Sequence, residues 1–164
     1  MRFGLIGLAL LCLACSGNPL SVDGLLSVGK AVADDKNGKH VVPFKLVRVY
    51  DGDTVHGMAL IWPGLVQQTA VRVRGIDTPE LRGGCSESKA LANQARAFTD
   101  SLLRTGYRLH ISKPEQGKYA GRVVANILID GQPLGEKLIE RGFAKPYNGD
   151  GPRPEWCEKE KGKT

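Results

Sequence analysis

Between Val71 and Leu81 the chain reads Val-Arg-Val-Arg-Gly-Ile-Asp-Thr-Pro-Glu-Leu, and this stretch narrows the folds open to it. Apolar and charged residues alternate through its first half, the period of a half-buried strand with Val71 and Val73 inward and Arg72 and Arg74 on the other face. Gly75 then interrupts the strand. Pro79 cannot donate to a sheet ladder and biases Thr78 toward extended backbone, which places Asp77, Thr78 and Glu80 on a turn just past the strand end. A turn asks only for a small polar residue and does not select Arg72, Asp77 and Glu80 together. Their chemistry supplies a reason: one carboxylate can hold a hard cation, a second can take a proton from water, and a guanidinium can fork onto a phosphate. A solvated turn after an amphipathic strand is the plain alternative. It loses weight once Asp51-Gly52-Asp53-Thr54 upstream and Arg122 downstream are added.

The flanking sequence supplies further strands and two helices. Pro43 to Tyr50 alternates and runs into the Asp51-Gly52 turn; Thr54 to Ile61 predicts a second strand, and Trp62-Pro63-Gly64 a hairpin loop before Val66 to Arg74. Ser86 to Arg104 predicts a helix with Leu91, Ala95, Phe98 and Leu102 at helical spacing, capped by Ser86 or Ser88 and closed by Gly106. Tyr107 to Ser112 and Arg122 to Ile129 are the fourth and fifth strands. Leu134 to Arg141 is a second helix, with Leu134 and Leu138 inward and Gly142 at its end. This order predicts an α+β, mostly β class, a five-stranded OB-fold-like Greek-key barrel with two or three helices. Such a barrel often binds nucleic acid, but a fold does not assign a function.

The 164 residues suit one domain, and a net charge of +6 favours a polyanionic partner. Met1-Arg2, the apolar run Phe3 to Ala14 and the small residues Ala14-Cys15-Ser16 predict a secretory signal over residues 1–16, too short to span a bilayer. A flexible linker (17–42), a domain (43–157) and a charged tail (158–164) would follow, in a secreted or periplasmic monomer without a stable membrane span. A lipid anchor through Cys15 is open but not favoured, because Cys12 stands three residues before it where a lipoprotein signal usually has Leu. Cleavage after Ser16 removes Cys12 and Cys15. Cys85 and Cys157 then remain as an even pair in an oxidising compartment, and a disulfide between them is expected. No cysteine spacing resembles a zinc site, and His40, His56 and His110 form no ligand cluster.

From Phe44 to about Tyr147 the chain resembles the thermonuclease family, the staphylococcal nuclease-like domains. The resemblance rests on Asp51-Gly52-Asp53-Thr54, Arg72 with Ile76-Asp77-Thr78-Pro79-Glu80, Gly121-Arg122, and Glu136 to Lys145. It implies an OB-like barrel that hydrolyses DNA and RNA with Ca2+, leaving a 3′-phosphate and a 5′-hydroxyl. By the same resemblance Asp53, Asp77 and the Thr78 carbonyl would be calcium ligands, with Asp51 in support. Glu80 would orient or deprotonate the attacking water, and Arg72 and Arg122 would hold the phosphate. Arg74, Lys118, Tyr119 and Tyr147 are weaker candidates for substrate contact, a surface salt bridge being the rival reading for Arg74. Where the family usually reads Tyr-Gly-Arg this chain has Tyr119-Ala120-Gly121-Arg122, so Ala120 is an insertion. Because one extra strand residue reverses every face before it, Arg122 is expected to keep register and the slack to fall in the loop from Pro114 to Ala120. The rival from another class is a non-catalytic OB-fold nucleic-acid-binding module. Such a module has no use for carboxylates beside a phosphate, which they repel unless a cation intervenes.

Overall fold

The computed structural model describes residues 33–34, 40–105, 108–118 and 120–157. The signal segment, most of the linker, Gly106, the strand start expected at Tyr107, Tyr119 and the charged tail lie outside the described residues. In chain order the elements are β1 (Ala33–Asp34), β2 (His40–Val49), β3 (Thr54–Trp62), β4 (Leu65–Val73), β5 (Ile76–Asp77), α1 (Ser86–Arg104), β6 (Leu109–Gln116), β7 (Arg122–Ile129), β8 (Gln132–Pro133), α2 (Leu134–Glu140) and β9 (Lys145–Pro146).

The three alternating runs form the expected meander, β2 antiparallel to β3 and β3 to β4. Strand β4 then pairs in parallel with β7, β7 antiparallel with β6, and β6 with the start of β2. That last pairing closes β2, β3, β4, β7 and β6 into a five-stranded barrel, which removes the open edges of the sheet. The closing residues are Val41, Val42 and Pro43 against Ser112, Ile111 and His110. The expected linker is therefore not featureless at its end: β2 begins at His40, and Val41 and Val42 are buried. Inward-facing Val42, Phe44, Val55, Val71, Val73, Ile111, Ala125, Ile127 and Ile129 fill the barrel, and Leu134 and Leu138 of α2 close part of it.

Helix α1 has the predicted bounds but not the predicted face. Its buried residues are Ser88, Ala92, Ala95, Thr99 and Leu103, a narrow stripe of mostly small side chains. Leu91, Phe98 and Leu102 lie half-buried on its flank. Phe98 packs beside Phe143, ring centroids 5.2 Å apart, at the seam with the end of α2. The N-cap position is Cys85, without a side-chain cap, and Ser88 Oγ donates to the Cys85 carbonyl instead (2.9 Å).

Strand β6 also runs further than predicted, to Gln116, through a bulge between Ser112 and Glu115 where Lys113 takes a positive φ of 50°. This bulge places one extra residue on β6 against β7. Arg122 opens β7 in register with Ala70.

Close packing makes one barrel glycine indispensable. A Cβ at Gly57 would run into the Phe44 ring and the Lys45 carbonyl of the neighbouring strand. Gly57→Ala is expected to destabilise the fold by about 2–3 kcal/mol through overpacking, read from the denaturant midpoint. An unchanged midpoint would mean that β2 and β3 are not packed as described.

Candidate active site

The site assembles where β2 turns into β3. Tyr50 and Asp51 N–H groups both donate to the Thr54 carbonyl (2.9 and 3.3 Å), and the Asp53 N–H donates to Asp51 Oδ1 (3.2 Å), so the bend holds its own carboxylate inward. Gly52 presses this bend against α1. A Cβ there would stand 2.9 Å from Ala95 Cβ and 2.9 Å from Thr78 Cγ2, and Thr99 Oγ1 donates to the Gly52 carbonyl (2.8 Å). The small-residue stripe of α1 is explained by this approach: a larger side chain at Ala95 would push the bend off the barrel.

Arg72 leaves β4 opposite Thr54 and joins two carboxylates from separate stretches. Its Nη1 donates to Asp53 Oδ1 (2.5 Å) and its Nη2 to Asp77 Oδ1 (3.0 Å). Both aspartates are buried, at 1% and 0% exposure. Asp53 also accepts from Thr54 Oγ1 (3.0 Å) and from the Thr78 N–H (3.0 Å). Burial still pushes its carboxyl up to about 7, with Asp51 adding to the rise and Arg72 and the hydrogen bonds opposing it. Asp77 is held from the backbone as well. The expected turn past β4 is a short ribbon, with Ile76 and Asp77 paired to Pro146 and Lys145 of β9.

Two further residues of the site, Arg153 and Trp156, belong to none of the motifs that the sequence singles out. Arg153 donates to Asp77 Oδ1 from Nε (2.8 Å) and Nη2 (2.5 Å), and its Nη1 forms an ion pair with Glu80 Oε1. Trp156 Nε1 donates to Asp77 Oδ2 (3.1 Å), and Lys145 Nζ lies 4.5 Å from the Trp156 ring centroid. The segment is tied down by the Cys85–Cys157 disulfide, Cα atoms 5.9 Å apart, as the cysteine count led one to expect. An arginine four residues before a paired cysteine was the available signal.

The remaining candidates separate. Glu80 is exposed and beside Asp77 through their shared Arg153. Arg122 lies one row along the sheet from Arg72, opposite Ala70. Arg74 is engaged elsewhere: it pairs with Glu115 (3.0 Å) and donates to the carbonyls of Lys113 (2.8 Å) and Val124 (3.1 Å). Lys118 is exposed in the loop before β7. Tyr147 bonds locally, its hydroxyl to the Gly151 carbonyl (3.1 Å). Tyr119 lies outside the described residues.

The donors available to a cation are all oxygens, which suits a hard ion such as Ca2+. Burial of Asp53 outweighs its ion pair with Arg72, a penalty that a bound cation would relieve. Among the described residues no group of three or more His, Cys, Asp or Glu could hold a metal. Asp53 and Asp77 are the two fully buried carboxylates here, and a hard cation takes six to eight oxygens in all. Arg153 now supplies positive charge to the same Asp77 oxygen.

The sequence model of the staphylococcal nuclease homologue family matches residues 70–161, more than half of the chain. That span contains Arg72, Asp77, Glu80, Arg122 and Arg153 but not Asp51 or Asp53, which the fold brings to the others. The chain is 30% identical over 111 residues to endonuclease YncB of Bacillus subtilis, covering 67% of this chain and 50% of the relative. It is 30% identical over 108 residues to the SPbeta prophage-derived endonuclease YokF of the same organism, 65% of this chain and 35% of the relative. The chain spans half or less of the length of these relatives.

Cys157→Ser should loosen Arg153 and Trp156 from Asp77. In the chain-entropy model, losing a closure of 72 residues costs up to about 4 kcal/mol. In a Trp62→Phe background, where Trp156 is the only tryptophan, its emission should move to longer wavelength in the still-folded protein. Emission that stays put would show that the disulfide does not hold this segment on the site.

Proposed function

Because the chain belongs to the staphylococcal nuclease homologue family, we propose that it is a secreted or periplasmic Ca2+-dependent nuclease. On this reading it hydrolyses phosphodiester bonds of DNA and RNA with little sequence preference, leaving 3′-phosphate and 5′-hydroxyl ends. The observation that carries the reading is the convergence of Asp53 and Asp77, both buried, on Arg72, with Glu80 beside them. A barrel that only bound nucleic acid would gain nothing from burying two carboxylates at a phosphate-facing end.

Each residue then has a definable task. Asp53, Asp77 and the Thr78 carbonyl would hold the cation, with Asp51 steadying Asp53 by accepting from the Asp53 N–H. The bound cation supplies charge neutralisation at the phosphate. Arg72 has five N–H donors, of which the two aspartates take one each, so others remain to face a phosphate oxygen. Arg122, one row away, gives a second guanidinium on the same face. Together they stabilise the charge that builds on the equatorial oxygens as a fifth oxygen approaches phosphorus. Glu80 takes a proton from the attacking water as its oxygen bonds to phosphorus, the P–O5′ bond breaks, and the leaving 5′-oxygen takes a proton from solvent; Arg153 holds Glu80 Oε1 and leaves Oε2 outside that ion pair. The net charge of +6 draws a polyanion to the surface without regard to its sequence.

Plasmid nicking in calcium and in excess chelator tests the reading. Cleavage in calcium and none with chelator is expected; cleavage unaffected by chelator would reject the metal-dependent mechanism. No cleavage in either would favour the binding module. Within the active protein, Glu80→Gln is expected to lower kcat by about 10²–10⁴, the range of a general base. Arg122→Lys, which keeps charge but loses the planar fork, should lower it by about a hundredfold. A near-normal kcat for either variant would remove that residue from the mechanism.

A further inference from the structure

The sheet face that carries Arg72 continues away from the carboxylates. Arg72 sits in a row with Thr54 on β3 and Val124 on β7. Two residues further along, roughly 7 Å away, the next row on that face crosses four strands: Arg48 on β2, His56 on β3, Ala70 on β4 and Arg122 on β7. An open cleft of about 330 Å³ lies along this row, lined by Ala70 with His56, Gln68, Thr69, Ala120, Gly121 and Arg122. At its far side Arg48 Nη2 lies 3.3 Å from His56 Nε2, and the Arg48 guanidinium stands 5.8 Å from the centroid of the exposed Tyr50 ring. The Tyr50 and His56 rings are 6.2 Å apart and tilted.

The chemistry of the row is that of a planar group with a neighbouring anion. A guanidinium only donates, so His56 Nε2 must accept from Arg48, and the ring is neutral with its proton on Nδ1. Burial first, then Arg48 and Arg122, lower the His56 pKa against an opposing pull from Asp51. A neutral imidazole and a tyrosine ring offer flat faces for stacking, Gln68 and Thr69 offer hydrogen bonds at the edge, and Arg48 offers a charge beyond. The volume falls at the lower end of the range of small-molecule sites.

We propose that the row Arg48–His56–Ala70, beside Arg122, is a subsite for the nucleotide adjoining the scissile phosphate. Its base sits over Ala70 against the His56 ring, and the next phosphate along the chain faces Arg48. The proposal rests on the nuclease reading above and extends it to how far along a single strand the protein makes contact.

Ala70→Leu fills the cavity and His56→Ala removes the stacking face; neither residue belongs to the proposed catalytic set, and neither change alters the charge. With a short single-stranded oligonucleotide as substrate in calcium, each variant should raise KM about tenfold and leave kcat within about twofold. Anisotropy of a labelled oligonucleotide on the Glu80→Gln protein should show the same loss of affinity, with an unchanged slope of log K against log salt. Arg48→Ala should instead reduce that slope by about one phosphate contact. Unchanged affinity for both Ala70→Leu and His56→Ala, with wild-type cleavage intact, would overturn the subsite and leave the nuclease reading standing. Absent wild-type cleavage with tenfold weaker binding by the variants would overturn the nuclease reading and keep the row as a nucleic-acid-binding surface. His56→Ala removes atoms and adds none, so it decides the matter if Ala70→Leu shifts the unfolding temperature.

Discussion

Arg72 is the interaction on which the rest of this site depends. Two carboxylates in water repel each other only weakly, but buried at the end of a barrel they cannot both stay ionised without a nearby positive charge. One guanidinium reaches both because its two Nη atoms are arranged as a fork, and a lysine in the same place would meet one of them at a time. The arrangement explains why the bend at Asp51–Thr54 and the ribbon at Ile76–Asp77, distant in sequence, share one set of hydrogen bonds. It also explains the demands on α1. The helix must come close enough for Thr99 to reach the Gly52 carbonyl, which favours small side chains at Ala92, Ala95 and Thr99 of its buried stripe.

A second layer of restraint comes from the end of the described chain. Arg153 and Trp156 complete the hydrogen bonding of Asp77, and Arg153 ties Glu80 to it. This segment has no regular structure beyond the two residues of β9, so little of its order comes from its own backbone pairing. The disulfide to Cys85, at the start of α1, supplies the restraint from outside and couples the segment to the same helix that positions the bend. Acidic groups, the arginine between them and the segment over them thus form one connected unit around α1.

Much of the architecture is legible in the sequence. Alternation located β2, β3 and β4, the bounds of α1 match Ser86–Arg104, and Leu134 and Leu138 are the buried anchors of α2. The misses share a cause. The face of α1 was read from its largest apolar side chains, Leu91, Phe98 and Leu102, whereas the barrel selects its smallest ones because Gly52 must approach. The extension of β6 and the early start of β2 follow from barrel closure, which pairs strands that no local pattern links. The bulge at Ser112–Glu115 lets β6 keep pairing with β7 as far as Gln116.

The sequence by itself determined the alternation of β2, β3 and β4, the break of β4 at Gly75, the evenness of the cysteine count and the presence of a carboxylate and guanidinium set. These are local properties, set by side-chain alternation, by proline and glycine backbone limits, and by residue type. Only the tertiary structure decided that Arg72 meets Asp53 and Asp77 while Arg74, two residues on, turns to Glu115. Only the tertiary structure, too, set Arg153 and Trp156 on Asp77, and aligned Arg48, His56, Ala70 and Arg122 in one row. The physical reason is register: closing the barrel chooses which residues of four strands stand side by side, and that choice depends on the core as a whole.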